Sequence, residues 1–283
     1  MIIVDLNQVM ISNIMMQLGV HTNVQVEENM VRHMVLNSIL SFKNKFSSTY
    51  GEIVIACDNT NIWRKQIFPY YKANRKAKTE SSEIDWKSIF ECMNKLRSEL
   101  KEFSPYKVID VESAEADDII GTLVNNFAPT ANNILILSGD KDFIQLHKYN
   151  NVKQYDPVNK KYIVHENPML FLKEHVIKGD AGDGIPNILS GDNCFVVGDR
   201  QKSLTKKRME FYTETDPTKF ENPTATRNFH RNEQLINLDF TPVEIRDKVL
   251  IQYNEQVGKN RSKLLNYFNT FNLKNLVQHL SEF

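Results

Sequence analysis

The chain has 283 residues, 41% of them hydrophobic and 25% charged, which is enough apolar material for a sizeable core in one large domain or two smaller ones. Its 35 basic and 35 acidic residues cancel, so the molecule as a whole does not advertise a polyanionic partner. Three cysteines without a CxxC pair and seven histidines without HExxH spacing argue against a disulfide framework, a zinc ribbon and a zincin, and point to a reducing cytosol.

The opening MIIVDLNQV has no basic region and meets Asp5 almost at once, so it does not read as a signal peptide, and no apolar run is long enough to span a bilayer. Residues 2–6 read as a short buried strand. Helical spacing follows over 30–46, with Met30, Met34, Ile39, Phe42 and Phe46 on one side. A second strand is expected at 52–58 and a helix at 83–103. A third strand at 106–110 leads into the helix ADDIIGTLVNNF, and a fourth lies at 133–138. Segments 152–156 and 161–164 add a fifth strand and an edge. Strands alternating with helices predict an α/β fold, a mostly parallel sheet covered by helices on both faces. Near Gly179 the pattern changes to a Gly- and Asp-rich stretch, followed by helical segments at 203–213, 228–238, 242–257, 260–270 and 272–281. This predicts a domain over 1–178 and a smaller, mainly helical one over 179–283.

In an open parallel sheet, ligands bind beyond the carboxyl ends of the strands. Asp5 ends the first strand and Asp58 the second. Glu115, Asp117 and Asp118 follow the third, Asp140 and Asp142 the fourth, and Asp180 and Asp183 the last helix of this unit. Each cluster alone has a structural reading: acids favour a helix's first turn, and Asp140 suits an N-cap. Asp5 is harder to explain that way, because an aspartate within an apolar strand is costly to bury unpaired. No nearby block of sequence supplies cations for the set, and gathered carboxylates repel one another. A divalent metal resolves that conflict. All-oxygen ligands suit Mg²⁺ or Mn²⁺, and this many carboxylates suit two ions about 3.5–4 Å apart, as in phosphoryl-transfer and nuclease chemistry.

The zero net charge hides basic blocks. RKQIFPYYKANRKAK, residues 64–78, carries six basic residues and no acid, and RQKSLTKKR, residues 200–208, carries five. Most basic runs are solvated faces. The functional reading of the first, directly after Asp58, is a surface where Arg64, Lys65, Lys72, Arg75, Lys76 and Lys78 grip a phosphate backbone while Tyr70 and Tyr71 stack on unpaired bases. The second reads as a duplex-phosphate contact through Lys202, Lys206, Lys207 and Arg208, with Ser203 as the helix cap. GDAGDGIP does not fit an EF-hand, and no P-loop is present.

In their order, VDLNQV, ACDN with WRK, YYKANR, EADD, SGDKDFIQL and KGDAGDGIP resemble the 5′-nuclease superfamily of flap endonucleases, and within it the RNase H branch of T-even-type bacteriophages. The resemblance covers nearly the whole chain and is most specific before residue 185. It implies a PIN-like nuclease domain with two Mg²⁺ ions, for which Mn²⁺ would substitute. Asp5, Asp58, Asp117 and Asp140 would hold the first ion. Asp142, Asp180 and Asp183 would hold or orient the second, with Glu115 between them. Lys72 and Arg75 would sit on a helical arch, about residues 62–86, and polarise the scissile phosphate. The family usually has Asn in place of Gly184, and its helix-hairpin duplex-binding region is interrupted here by residues 187–207, which puts a monovalent cation site in doubt. The resemblance further implies RNA·DNA hybrid and 5′-flap or forked DNA as substrates, and the cytoplasm of a bacterial host if the chain is phage-encoded. A single-stranded-DNA-binding protein is a partner class on which the sequence is silent. A sliding-clamp contact ahead of the first strand is not expected, and neither is a membrane or an oligomer.

The reading is therefore a Mg²⁺-dependent, structure-specific 5′ nuclease. Its rivals are a PIN-like single-stranded ribonuclease and a metal-stabilised, non-catalytic branched-DNA-binding protein.

Overall fold

A computed structural model describes residues 1–19, 26–130 and 132–283; the side chains of residues 76–78 and 80 lie outside the described set. In chain order the elements begin β1 (Ile2–Asp5), α1 (Leu6–Leu18), α2 (Glu28–Tyr50), β2 (Ile53–Ala56), α3 (Arg64–Ile67), α4 (Ala73–Glu80) and α5 (Trp86–Phe103). They continue β3 (Lys107–Ile109), α6 (Ala116–Phe127), β4 (Ile134–Leu137), β5 (Val152–Asp156), β6 (Lys161–Ile163) and α7 (Pro168–Lys178). The remainder is helical: α8 (Cys194–Val197), α9 (Lys206–Glu214), α10 (Pro223–Ile236), α11 (Val243–Glu255), α12 (Leu264–Thr270) and α13 (Lys274–Val277). Among the described residues, no helix is long and apolar enough to cross a membrane.

The sheet order is β3-β2-β1-β4-β5-β6, parallel throughout except for the antiparallel edge strand β6. The runs IIVD, IVIA and ILIL are buried at every position, as parallel strands covered on both faces require. One face packs against α1, α2, α5, α12 and α13, with Val35, Ile39, Leu96 and Phe268 at its centre. The other packs against α6 and α11 through Ile119, Ile120, Leu123 and Val249. A third core joins Phe68 and Tyr71 to α7 and α10. The chain leaves β1 toward β2 and β3 on one side and later returns to place β4 on the other, so the topological switch lies between β1 and β4.

Several expectations needed correction. No helix was foreseen directly after β1, yet α1 starts at Leu6 and Asp5 caps it, its carboxylate accepting from the Gln8 backbone N–H at 3.2 Å. Asp5 is thus both the last residue of β1, where it was expected, and the cap of α1. Helix α9 is capped by Thr205, not Ser203. Helices α11, α12 and α13 are shorter than their apolar patterns suggested, whereas α10 begins earlier, at Pro223, and is longer. From the C-terminal helices, Leu264, Tyr267, Phe268 and Leu276 pack into the first sheet face. The Phe283 backbone oxygen accepts from Lys43 Nζ at 2.8 Å and Arg261 Nε at 2.9 Å, tying the last residue to α2.

Candidate metal centre

The switch between β1 and β4 collects the first group of carboxylates. Asp5 Oδ2 accepts from the Ser138 hydroxyl at 3.0 Å, and Asp140 N–H donates to the same hydroxyl at 3.1 Å, so one serine links the ends of both strands. Asp58 Oδ1 accepts from Ala116 N–H at 2.6 Å, which docks the start of α6 on the end of β2. Its other oxygen accepts from the Asn7 amide. Arg97 Nη1 holds the Asp58 carbonyl at 2.7 Å. Asp117 lies in the first turn of α6. Burial and the neighbouring charges of Asp58 and Asp140 push the Asp5 carboxyl up to about 7. Burial also raises Asp58, and burial with the charge of Asp140 raises Asp117 well above the ordinary range. These upward shifts are the electrostatic signature of acids crowded in a desolvated place.

The second group is built by the 3₁₀ segment Lys141–Lys148, α7 and the loop after it. Asp140 caps that segment, accepting from Asp142 N–H at 2.9 Å. Asp180 Oδ1 accepts from Gly182 N–H at 2.7 Å and Asp183 N–H at 3.1 Å. Gly179 makes this tight loop possible: its φ is +68°, and a Cβ there would lie 2.4 Å from the Ile185 carbonyl oxygen. Burial and Asp140 push Asp142 up to about 7, while the His175 hydrogen bond holds Asp180 below the usual carboxylate range. Burial by itself would lower His175, but Asp180 and Asp142 outweigh it and hold the imidazole above its ordinary value.

His175 escaped the sequence reading, which took the site to be all oxygen. It sits in the last turn of α7 with Nδ1 3.3 Å from Asp142 and Nε2 3.6 Å from Asp180. Its place five residues before Asp180, at the end of a helix that delivers the loop acids, was the available signal.

The expected lack of nearby cations is also corrected. Lys72 pairs with Glu115 and lies 3.4 Å from Asp183, and Arg75 pairs with Asp183. Glu115 lies 43 positions from Lys72 and Asp183 lies 108 from Arg75, which is why no local block announced them. Lys72 has φ +56°, and its N–H donates to the Asp183 carbonyl at 2.7 Å. Asn74 Nδ2 donates to the Ala181 carbonyl at 2.8 Å. The start of α4 and the residues before it are therefore fastened to the 180–184 loop. Gly184 fits that seam: at φ +73°, a Cβ would come 2.9 Å from the Tyr70 carbonyl.

Two residues expected to meet nucleic acid are instead structural. Arg64 is 2% exposed. Its guanidinium reaches Glu115 at 2.8 Å, Asp118 at 2.9 Å and the Leu235 carbonyl at 2.8 Å. Tyr71 is buried, its hydroxyl 2.9 Å from both Glu115 and Asp183. Both lie where α3 turns inward toward α6. Asp118 likewise faces away from the carboxylate cluster, toward Arg64, Trp63 and Thr241. Lys65 is exposed and Tyr70 half-buried. Lys76 and Lys78 lie outside the described side chains. Lys202, Lys206, Lys207 and Arg208 are all exposed at or before the first turn of α9.

The donor set fits a divalent cation. Among the described residues no ion pair reaches Asp5, Asp58, Asp117 or Asp140, and these acids repel one another unless protonated or bridged by a cation. Beside them opens a cavity of about 570 Å³ lined by Gln8, Asp140, Asp142, His175, Asp180 and Gly182.

Residues 1–177 match the family model "5'-3' exonuclease, N-terminal resolvase-like domain", and residues 167–283 match "T4 RNase H, C terminal". The chain belongs to the 5′-3′ exonuclease family, whose members are nucleases, and it is a phosphodiester hydrolase by class. It is 33% identical to the ribonuclease H of Enterobacteria phage T4 over 292 residues, covering 99% of this chain and 95% of that one. A 5′-3′ exonuclease of Buchnera aphidicola subsp. Acyrthosiphon pisum is 28% identical over 54% of each chain. The flap endonuclease Xni of Shewanella oneidensis is 31% identical over 48% of this chain and 52% of that one. Bacteriophage T5 5′-exonuclease with divalent zinc bound shares the fold at TM-score 0.64 and 14% identity, covering 92% of this chain and 98% of that one. A T5 flap endonuclease complex with DNA and metal ions superposes at TM-score 0.61 and 14% identity, covering 90% and 98%.

Proposed function

We propose that this chain is a divalent-metal-dependent, structure-specific 5′ nuclease that removes RNA primers and 5′ flaps during DNA replication. The observation that carries the reading is the carboxylate set at the β1/β4 switch, desolvated, mutually repelling and, among the described residues, reached by no ion pair. Asp5, Asp58, Asp117 and Asp140 would hold one Mg²⁺, and Asp142, Asp180 and Asp183 a second, with Glu115 between them. When bound, two such ions activate a water for in-line attack and stabilise the leaving oxygen.

The chain's own residues supply the positioning. Ser138 and Asn7 fix the orientations of Asp5 and Asp58. Lys72 and Arg75 stand at the rim, held by Glu115 and Asp183, and exchange those ion pairs for contacts with the scissile phosphate. The exposed cations at the start of α9 grip duplex phosphates without base readout. RNA·DNA hybrid and flapped DNA are the substrates in this reading, and the cytoplasm of a bacterial cell is the setting.

The test is a time course on a 5′-flapped duplex and an RNA·DNA primer hybrid labelled at both ends, in Mg²⁺ and in EDTA, with Asp140→Asn as control. Metal-dependent release of short products from the 5′ end, lost in the variant while its melting curve is preserved, is the expected result. Binding without cleavage in any divalent metal would replace the enzyme reading with a scaffold. Exclusive cleavage of single-stranded RNA would replace it with a ribonuclease.

A further inference from the structure

The second cluster of acids contains a nitrogen donor that its chemistry, read as an all-oxygen Mg²⁺ site, does not require. One donor atom each from Asp142, His175 and Asp180 lies within 4.8 Å of the other two. The three come from separate places: the 3₁₀ segment after β4, the last turn of α7, and the loop beyond it. The orientation of each is fixed independently. Asp180 Oδ1 is taken up by the N–H groups of Gly182 and Asp183, which leaves Oδ2 facing His175. Asp142 presents Oδ1 to the other ring nitrogen. The ring edge packs on Phe171 with centroids 5.9 Å apart, and Phe171 in turn packs on His165 at 5.0 Å. All three donors border the cavity of about 570 Å³, which has room for an ion and its remaining water ligands.

Resting on the two-metal reading above, we propose that His175 contributes a ligand to the second ion position, making it a mixed nitrogen–oxygen site that selects Mn²⁺ and other borderline divalent ions over Mg²⁺. The reason is ligand type. Imidazole adds affinity for first-row transition ions, whereas Mg²⁺ prefers oxygen and keeps its waters. The two nitrogens point to opposite sides of the ring. Whichever one binds the ion, the other faces a carboxylate oxygen 3.3 or 3.6 Å away, which orients the ring. The first position, formed by Asp5, Asp58, Asp117 and Asp140, has no such donor among its residues. The two positions therefore differ in metal preference, and the second fills preferentially with Mn²⁺ when both ions are present.

Direct binding tests this without reference to turnover. The full-length protein is titrated with Mn²⁺, followed by the electron paramagnetic resonance of the free ion, alone and in competition with Mg²⁺. Bound Mn²⁺ is examined by pulsed resonance for coupling to a ligand ¹⁴N. Wild type should show nitrogen coupling from one of two bound ions. His175→Gln should abolish it and weaken Mn²⁺ at that position by about tenfold or more, in the range known for lost metal-site partners, while Mg²⁺ affinity changes by less than threefold. Absence of nitrogen coupling in wild type overturns the proposal and needs no variant, so a folding defect in His175→Gln cannot mask the answer. Coupling that survives His175→Gln, or an equal loss of Mn²⁺ and Mg²⁺, also overturns it. Two-ion binding without nitrogen leaves the nuclease reading standing, whereas a protein that binds no divalent ion sinks both.

Discussion

Arg64 offers the sharpest separation of a structural cation from a nucleic-acid-binding one. The perturbation is Arg64→Met, which keeps an unbranched apolar stem and removes the charge. In the fold the guanidinium makes two buried carboxylate pairs, accompanies a carbonyl hydrogen bond, and stands 4.7 Å from the centroid of the Trp63 ring. Removing one partner of a buried pair costs about 3–5 kcal/mol, because the remaining charge is left desolvated. Here Glu115 keeps Lys72 and Tyr71, and Asp118 keeps Trp63, Thr241 and the Glu115 N–H. The low end, about 3 kcal/mol, is therefore expected. At about 2–4 °C per kcal/mol for a chain of this size class, the melting temperature should fall by about 6–12 °C. The assay pairs a thermal melt in EDTA with a salt titration of flapped-DNA binding. Below the melt, the slope of log affinity against log salt should be unchanged. A variant that melts like wild type but binds DNA with a shallower salt slope would refute the burial argument and return Arg64 to the nucleic-acid surface.

Lys206→Ala and Lys207→Ala should behave in the opposite way. Each should leave the melt within about 0.5 kcal/mol of wild type and reduce the magnitude of the salt slope by about 1; an unchanged slope would remove α9 from the interface. Without divalent metal, stability should fall between about pH 4 and pH 7. Asp5 and Asp142 are both held up to about 7 in the fold against 3.8 unfolded, so the folded state binds more protons across that window and loses its advantage as they ionise. His175, raised in the fold, adds a loss of the same sign as pH climbs through its folded value. Melts in EDTA that are flat from pH 5 to 8 would contradict this, and Mg²⁺ or Mn²⁺ should restore stability at the alkaline end. Gly184→Ala places a Cβ at a left-handed φ and 2.9 Å from the Tyr70 carbonyl, so it should cost about 1–2 kcal/mol. Because that contact holds Tyr70, Lys72 and Asn74 against the 180–184 loop, flap cleavage should fall more than flap binding. A melt identical to wild type would show the seam to be pliable.

The amino-acid pattern carries much of this molecule. Fully apolar runs of four residues are long enough for a strand and too short for a helix, and alternation with 3.6-period segments announced a parallel sheet before any coordinates. Helix α6 is legible to the residue because an acidic first turn and an apolar stripe frame it. Helix α1 was missed because its apolar positions follow the strand without a break, so neither period stands out. Helices α12 and α13 were overextended for a related reason: their apolar residues serve the sheet, and the packing partners set where each helix stops.

The sequence by itself determined where the acids fall. An aspartate after each buried strand is a local feature, written within a few residues, and local features survive without knowledge of the fold. Only the tertiary structure decided which charges meet. Strand order 3-2-1-4-5-6 arises from crossover connections, and it alone brings the end of β1 beside the end of β4. Arg64 finds Asp118 across 54 positions, and Lys72 finds Glu115 across 43. His175 meets Asp142 only because α7 packs on the segment after β4. Those encounters turn Arg64 into buried structure, hold Lys72 beside the acids and bring an imidazole to a site of oxygens. Coulomb energies depend on distance and burial, and neither is written along the chain.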